Sequence, residues 1–194
     1  YLVPKFSDTD PLIRKYTFQI LLAIGDSIIP DLFAEIEKHN WIVDQRLVHT
    51  ISVIKGPLSD VYLIKALGIN SVKKNVILML GHRNCIDAID PLVAMYADPP
   101  VKRMVFHSLR RIDEEVVFDR LLFFISNEHL GLSNQAGAII LKWEDMALPH
   151  LVAGLKKNGV DRKRISYLLD KIGPEPVMDQ IKLLCEANPE LKNE

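Results

Sequence analysis

Cysteine occurs only twice, at Cys85 and Cys185, and the two are 100 residues apart. That spacing supplies neither a disulfide framework nor a metal knuckle. Two lone thiols suit a reducing compartment, and a cytoplasmic protein is expected. Aromatic residues make up 7% of the chain and the net charge is −1, so no overall field favours nucleic acid or an anionic membrane. No unbroken apolar run reaches 18 residues, and no signal peptide precedes the first helical pattern. The signatures of common catalysts are missing too. There is no Gly-x-Ser-x-Gly, no phosphate-binding glycine loop and no dinucleotide fingerprint. Six histidines occur (His39, His49, His82, His107, His129 and His150), but none stands in a His-x-x-x-His or His-Glu-x-x-His pair. No catalytic residue, cofactor or metal is therefore expected, and the protein is read as a non-enzyme.

What the chain does have is a period. A helical phrase recurs from Ile13, Val43, Val72, Val101, Leu132 and Asp161, in steps of 30, 29, 29, 31 and 29 residues. Four residues into each copy stand Thr17, Leu47, Val76, Val105, Ala136 and Ile165. Eight residues in stand Leu21, Ile51, Leu80, Leu109, Ile140 and Leu169. Eleven residues in are Ile24, Ile54, Arg83, Ile112, Trp143 and Ile172, where Arg83 breaks an apolar series. A fixed period of this length marks a stack of similar units, each unable to bury its apolar face alone. In the fourth copy, Pro99-Pro100 opens a helix A, Asp113-Glu114-Glu115 caps a helix B, and Ser126-Asn127 ends it. Other A-to-B turns carry Gly25-Asp26-Ser27, Gly56-Pro57 and Gly173-Pro174, a helix stop followed by a restart. The expected fold is all-α: an α-solenoid of about six helical hairpins in a single domain over residues 1–194. The opening Leu2-Val-Pro-Lys-Phe-Ser-Asp8 reads like the internal Leu92-Val-Ala-Met-Tyr-Ala-Asp98, so residues 1–12 are expected to be the end of a preceding repeat in a longer protein.

The phrases Ile13-Arg-Lys…Leu21-Leu-Ala-Ile-Gly-Asp26 and Val101-Lys-Arg…Leu109-Arg-Arg-Ile-Asp113 resemble short bacterial HEAT-like repeats, a type also found in phycobilisome lyases. Ile29-Pro30-Asp-Leu and Leu148-Pro149-His-Leu resemble the proline-led start of helix B in that family. The resemblance implies a superhelix whose B helices line the concave side. It also keeps a bilin lyase or chaperone-like subunit open as an alternative to a protein-binding module.

Two surfaces follow. Basic residues open most A helices: Arg14-Lys15, Lys73-Lys74, Lys102-Arg103 and Arg162-Lys163-Arg164. They form either a phosphate track for nucleic acid or, as the near-neutral charge favours, pairs with Asp8, Asp98, Asp113 and Asp161 in neighbouring turns. The B helices align on Leu32-Phe33, Leu63-Ile64, Leu92-Val93, Leu121-Leu122 and Leu151-Val152. Just before each pair stand Asp31, Tyr62, Pro91, Arg120 and His150, with Gln180 in the last helix. Four residues on stand Glu35, Ala66, Met95, Phe124, Gly154 and Leu184. Tyr62, Met95, Arg120, Phe124 and His150 are the expected partner-binding residues, since aromatic, Met and Arg side chains are enriched at interface centres. The expected partner is another protein or another domain of the same longer chain. Cys85, near the start of a helix B, is the one thiol a helix dipole could activate.

Overall fold

A computed structural model describes residues 5, 8–38, 45–127 and 131–187. Among them the regular structure is helical, with no strand. In chain order the helices are α1 (Pro11–Ile24), α2 (Ile29–Lys38), α3 (Gln45–Val53), α4 (Pro57–Ala66), α5 (Lys73–His82) and α6 (Ile89–Met95). They continue as α7 (Pro99–Leu109), α8 (Glu114–Ser126), α9 (Ser133–Trp143), α10 (Leu148–Leu155), α11 (Arg162–Ile172) and α12 (Pro174–Ala187). Short 3-10 turns at Gly25–Ile28, Ile86–Ala88 and Glu144–Ala147 lead into α2, α6 and α10.

Local chemistry sets the helix ends. Proline takes the first turn of α1, α4, α7 and α10, where a missing N–H leaves nothing unpaired. Asp10, Asp113 and Asp161 accept hydrogen bonds from the first backbone N–H groups of α1, α8 and α11. Gly25 stops α1 at φ 75°, a left-handed value that side chains resist. That stop matters because Pro11–Glu35 is, by average composition, long and apolar enough to cross a membrane. α1 itself has 14 residues. That is about 21 Å at 1.5 Å per residue, short of a hydrocarbon core of about 30 Å.

The chain divides into two compact units: residues 1–92 with 98–112, and residues 93–97 with 113–194. In the first, α1 packs on α3, α3 on α5 and α5 on α7, while α2 packs on α4 alongside. In the second, α9 packs on α11, and α8, α10 and α12 pack in turn beside them. α5 and α7 run parallel in the first unit, as α9 and α11 do in the second. Ser108 Oγ of α7 donates to Ile77 O of α5 at 2.7 Å, and Arg111 one turn on meets His82 at 2.7 Å. In the other unit Arg164 reaches Ser133 Oγ, and Leu168 lies against Gly137.

The periodic apolar positions are the core. Leu21, Ile51, Leu80, Leu109, Ile140 and Leu169 are all buried, as are Thr17, Val76, Val105, Ala136 and Ile165. The side chain of Leu47 and the start at Val43 lie outside the described residues. Thr17, the polar exception, donates from Oγ1 to Ile13 O one turn back at 2.8 Å, so its hydroxyl is satisfied inside its own helix. α5 and α7 approach so closely that a Cβ on Gly81 would fall 2.6 Å from Ser108 Cα. Only glycine fits there.

Asp26, in the turn after α1, reaches 32 residues along the chain. Its carboxylate accepts from Leu58 N at 2.9 Å, Ser59 N at 2.8 Å and Ser59 Oγ at 2.6 Å, capping the first turn of α4. Gly56 makes room for it, since a Cβ there would stand 2.2 Å from Asp26 Cγ. Burial alone would raise the Asp26 pKa. The hydrogen bonds from Ser59 and Leu58 and the charge of Arg83 outweigh it, so the value falls below the usual 3.8. A depressed folded pKa gives a contribution that is present above 3.8 and is lost as pH falls through the lowered value. Asp26→Asn should therefore lower the melting temperature at pH 7 and flatten its fall below about pH 4. Parallel acid melts of the two proteins with equal slopes would contradict this cap.

Candidate functional site

The expected site residues are divided between the two units. Tyr62 lies in the first unit, half-buried, its ring 4.6 Å from that of Phe33 and beneath the Lys65 ammonium at 4.9 Å. Met95, Arg120, Phe124 and His150 belong to the second. Phe124 is 2% exposed and packs in the core, so it offers no surface to a partner. Ala66 and Gly154, expected on the same face, are buried as well. Gly154 lets α10 approach α8 and α11, since a Cβ there would meet Leu122 and Ile165 at 3.0 and 3.2 Å. The cause is geometric. A helix with neighbours on both flanks buries well over half its circumference, so the alignment chose a line still inside the buried arc. The Leu184 side chain lies outside the described residues.

The exposed line runs one residue earlier. Three residues after the aligned starts stand Ala34, Lys65, Ala94, Phe123, Ala153 and Leu183, and all six are exposed. The sequence held this signal in the neighbouring register, at the position next to Phe124. In the second unit the line crosses α8, α10 and α12 at Phe123, Ala153 and Leu183. It is apolar, with one aromatic ring at its α8 end followed by smaller side chains. The Arg120 guanidinium lies 4.6 Å from the centre of the Phe123 ring and 4.9 Å from that of Phe124. This stacking places a planar cation beside an exposed aromatic ring. The Met95 side chain is half-buried.

His150 occupies the other flank of α8. Its ring stacks on Phe118 with centres 4.1 Å apart and an interplanar angle of 4°, and its Nε2 lies 3.0 Å from Glu114 Oε1. Phe118 and Arg120 are about 200° apart around the helix, so the two polar groups bracket the Phe123 crest. Lys157 pairs with Asp119 beside it. A separate groove of about 450 Å³ opens between α9 and α11, where Gly137 has no side chain, walled by Leu141, Leu168, Tyr167 and Arg164.

Three basic residues of the A helices are engaged with their neighbours. Arg14 donates to the carbonyls of Asp8 and Thr9 at 2.6 and 2.8 Å. Lys73 stands 3.7 Å from Asp98, and Arg164 reaches Ser133. His49 stacks on Phe18, His82 meets Arg111 and His107 meets Arg103, whereas His39 and His129 lie outside the described residues. Among the described residues no cluster of three His, Cys, Asp or Glu could hold a metal ion.

Cys85 is not an activated thiol. It is buried, and the 3-10 turn and helix that follow it are too short to supply a strong dipole. Burial, aided by the charge of Asp60, pushes its pKa up to about 11. In a Cys185→Ser background the folded protein should resist a thiol reagent at pH 8 and react fully in denaturant. Fast labelling of the native protein would contradict the buried placement.

Compared with known proteins, the chain matches no family model and no curated protein.

Proposed function

We propose that this protein is a HEAT-like α-solenoid acting as a non-catalytic interaction module. Its B helices bind a partner protein, or another domain of a longer chain of which it is part. The parallel packing of successive A helices within each unit supports the solenoid reading, since stacked hairpins bury a continuous core in that way. The observation that carries the binding reading is the exposed apolar line Phe123, Ala153 and Leu183, with Arg120 stacked on Phe123. An aromatic–Arg pair on an apolar strip has the make-up of an interface hot spot. The free Cys85 thiol fits a reducing, cytoplasmic setting.

The test is a titration of a partner selected by the wild-type protein against two sets of variants. Phe123→Ala and Arg120→Ala should each weaken binding about 30-fold, equivalent to about 2 kcal/mol. Lys73→Ala and Lys102→Ala should change it less than about threefold. If the lysine variants lose binding while the α8 variants keep it, the partner is electrostatic and the B-helix reading fails. A gel shift with a steep salt slope would then identify nucleic acid as that partner.

A further inference from the structure

We infer that the outer face of α1 is a docking surface for one more helical hairpin, lying outside these 194 residues, whose leading helix packs parallel to α1. Four apolar side chains stand one turn apart along α1 and face solvent: Leu12, Tyr16, Ile20 and Ile24, exposed by 60%, 58%, 45% and 42%. Phe18, stacked on His49, marks the flank that α3 occupies. Ile20 lies two residues on, about 200° around the helix, on the flank α3 leaves open.

The period gives this flank its meaning. Ile20 is the seventh residue after a repeat start; its counterparts Thr50, Ser108, Ile139 and Leu168 are buried and Met79 is half-buried. Two of them show what covers the position. Ser108 bonds to the backbone of α5, the parallel helix before it, and Leu168 lies on Gly137 of α9, the parallel helix before that one. Ile24 stands eleven residues in, where Ile54, Ile112 and Trp143 are buried. The face of α1 therefore continues, in register, the packing that joins α1 to α3, α3 to α5 and α5 to α7.

The occupant's chemistry follows from the same pairs. At Leu168, a large residue at this position in the second unit, the preceding helix offers glycine at Gly137. A helix docking on Ile20 needs a small residue opposite it and an apolar residue one turn on, the pattern of Gly137 and Leu141. A second copy stacked end to end does not meet this. The corresponding positions on α11 are Ser166 and Asp170, both exposed and polar.

The experiment fuses a copy of residues 132–149, α9 and the start of α10, ahead of Tyr1 in the full chain, so that Leu2-Val3 follows where Leu151-Val152 does and the step to Ile13 is 30 residues. The fusion should melt at least about 5 °C higher than the full chain, with stronger amide-exchange protection in α1. Ile20→Glu should abolish that gain, yet shift the melting temperature of the unmodified chain by less than about 2 °C. No gain in the fusion, or a large loss from Ile20→Glu in the unmodified chain, would overturn the inference. The unmodified chain also provides two checks that do not depend on the fusion folding. It should sediment as a monomer, and it should not bind vesicles of phosphatidylcholine with or without phosphatidylserine. Dimers lost in Ile20→Glu would assign the face to a second copy, and vesicle binding lost in Ile20→Glu would assign it to a lipid surface. Either result refutes a hairpin partner.

Discussion

Replacing Arg83 with Ala should destabilise the protein by about 3 kcal/mol, although this residue interrupts an apolar series in the sequence. The guanidinium is 7% exposed and donates to Asp60 Oδ1 at 2.6 Å, Ile54 O at 2.7 Å and Ser52 O at 3.0 Å. Ser52 and Ile54 lie at the end of α3, where helical carbonyls have no partner within the helix. Arg83 fills that gap and places a positive charge at the negative end of the helix dipole. Truncation would leave three carbonyls, of Ser52, Ile54 and Gly56, and one carboxylate without their donor. Asp60 is 30% exposed and can recover water, which keeps the expected loss toward the lower end for a buried ion pair. Arg83→Lys should lose less than Ala but more than about 1 kcal/mol, because an ammonium lacks the planar fork that serves four acceptors at once. Asp60→Asn should lose about 1 kcal/mol. Urea unfolding of the three variants checks the order. A loss below about 1 kcal/mol for Arg83→Ala would show that the α3 terminus does not depend on this cap.

Phe118→Ala should lose about 3–5 kcal/mol. Phe118 is fully buried, with its ring centre 4.9 Å from that of Trp143 and 4.1 Å from that of His150. Removing it leaves a cavity between two rings and takes away the surface on which His150 stacks. Phe118→Leu, which fills most of that volume, should lose less than half as much. His150→Ala should lose about 1 kcal/mol, because the imidazole is partly exposed and its bond to Glu114 is near solvent. Equilibrium unfolding measures each value, and near-ultraviolet circular dichroism reports the Trp143 environment. If Phe118→Ala and His150→Ala prove equally mild, the stack is incidental to the second unit.

Helix type, helix ends and most of the core were legible because they depend on near neighbours in sequence. Asp10, Asp113 and Asp161 cap the helices they precede, and the prolines start helices because their restriction is local. Among the described side chains, the fourth and eighth positions of the repeats face the core because a helix turns by a fixed angle per residue. The same rule did not separate Phe123 from Phe124. Both stand near the edge of the apolar arc of α8, and the packed neighbours determine how far that arc extends.

The sequence by itself determined that the chain is helical, where its helices begin and which stripe of each is apolar. All of these follow from spacing within about four residues. Tertiary structure alone decided that Asp26 caps a helix 32 residues away, that Arg83 closes α3, and that burial makes Cys85 inert. It also decided that Phe123 is exposed beside a buried Phe124, and that α1 has an open flank. Each of these depends on which helix lies alongside. That choice is made by packing between segments about 30 residues apart, and periodicity states that such segments are alike without stating how closely they approach.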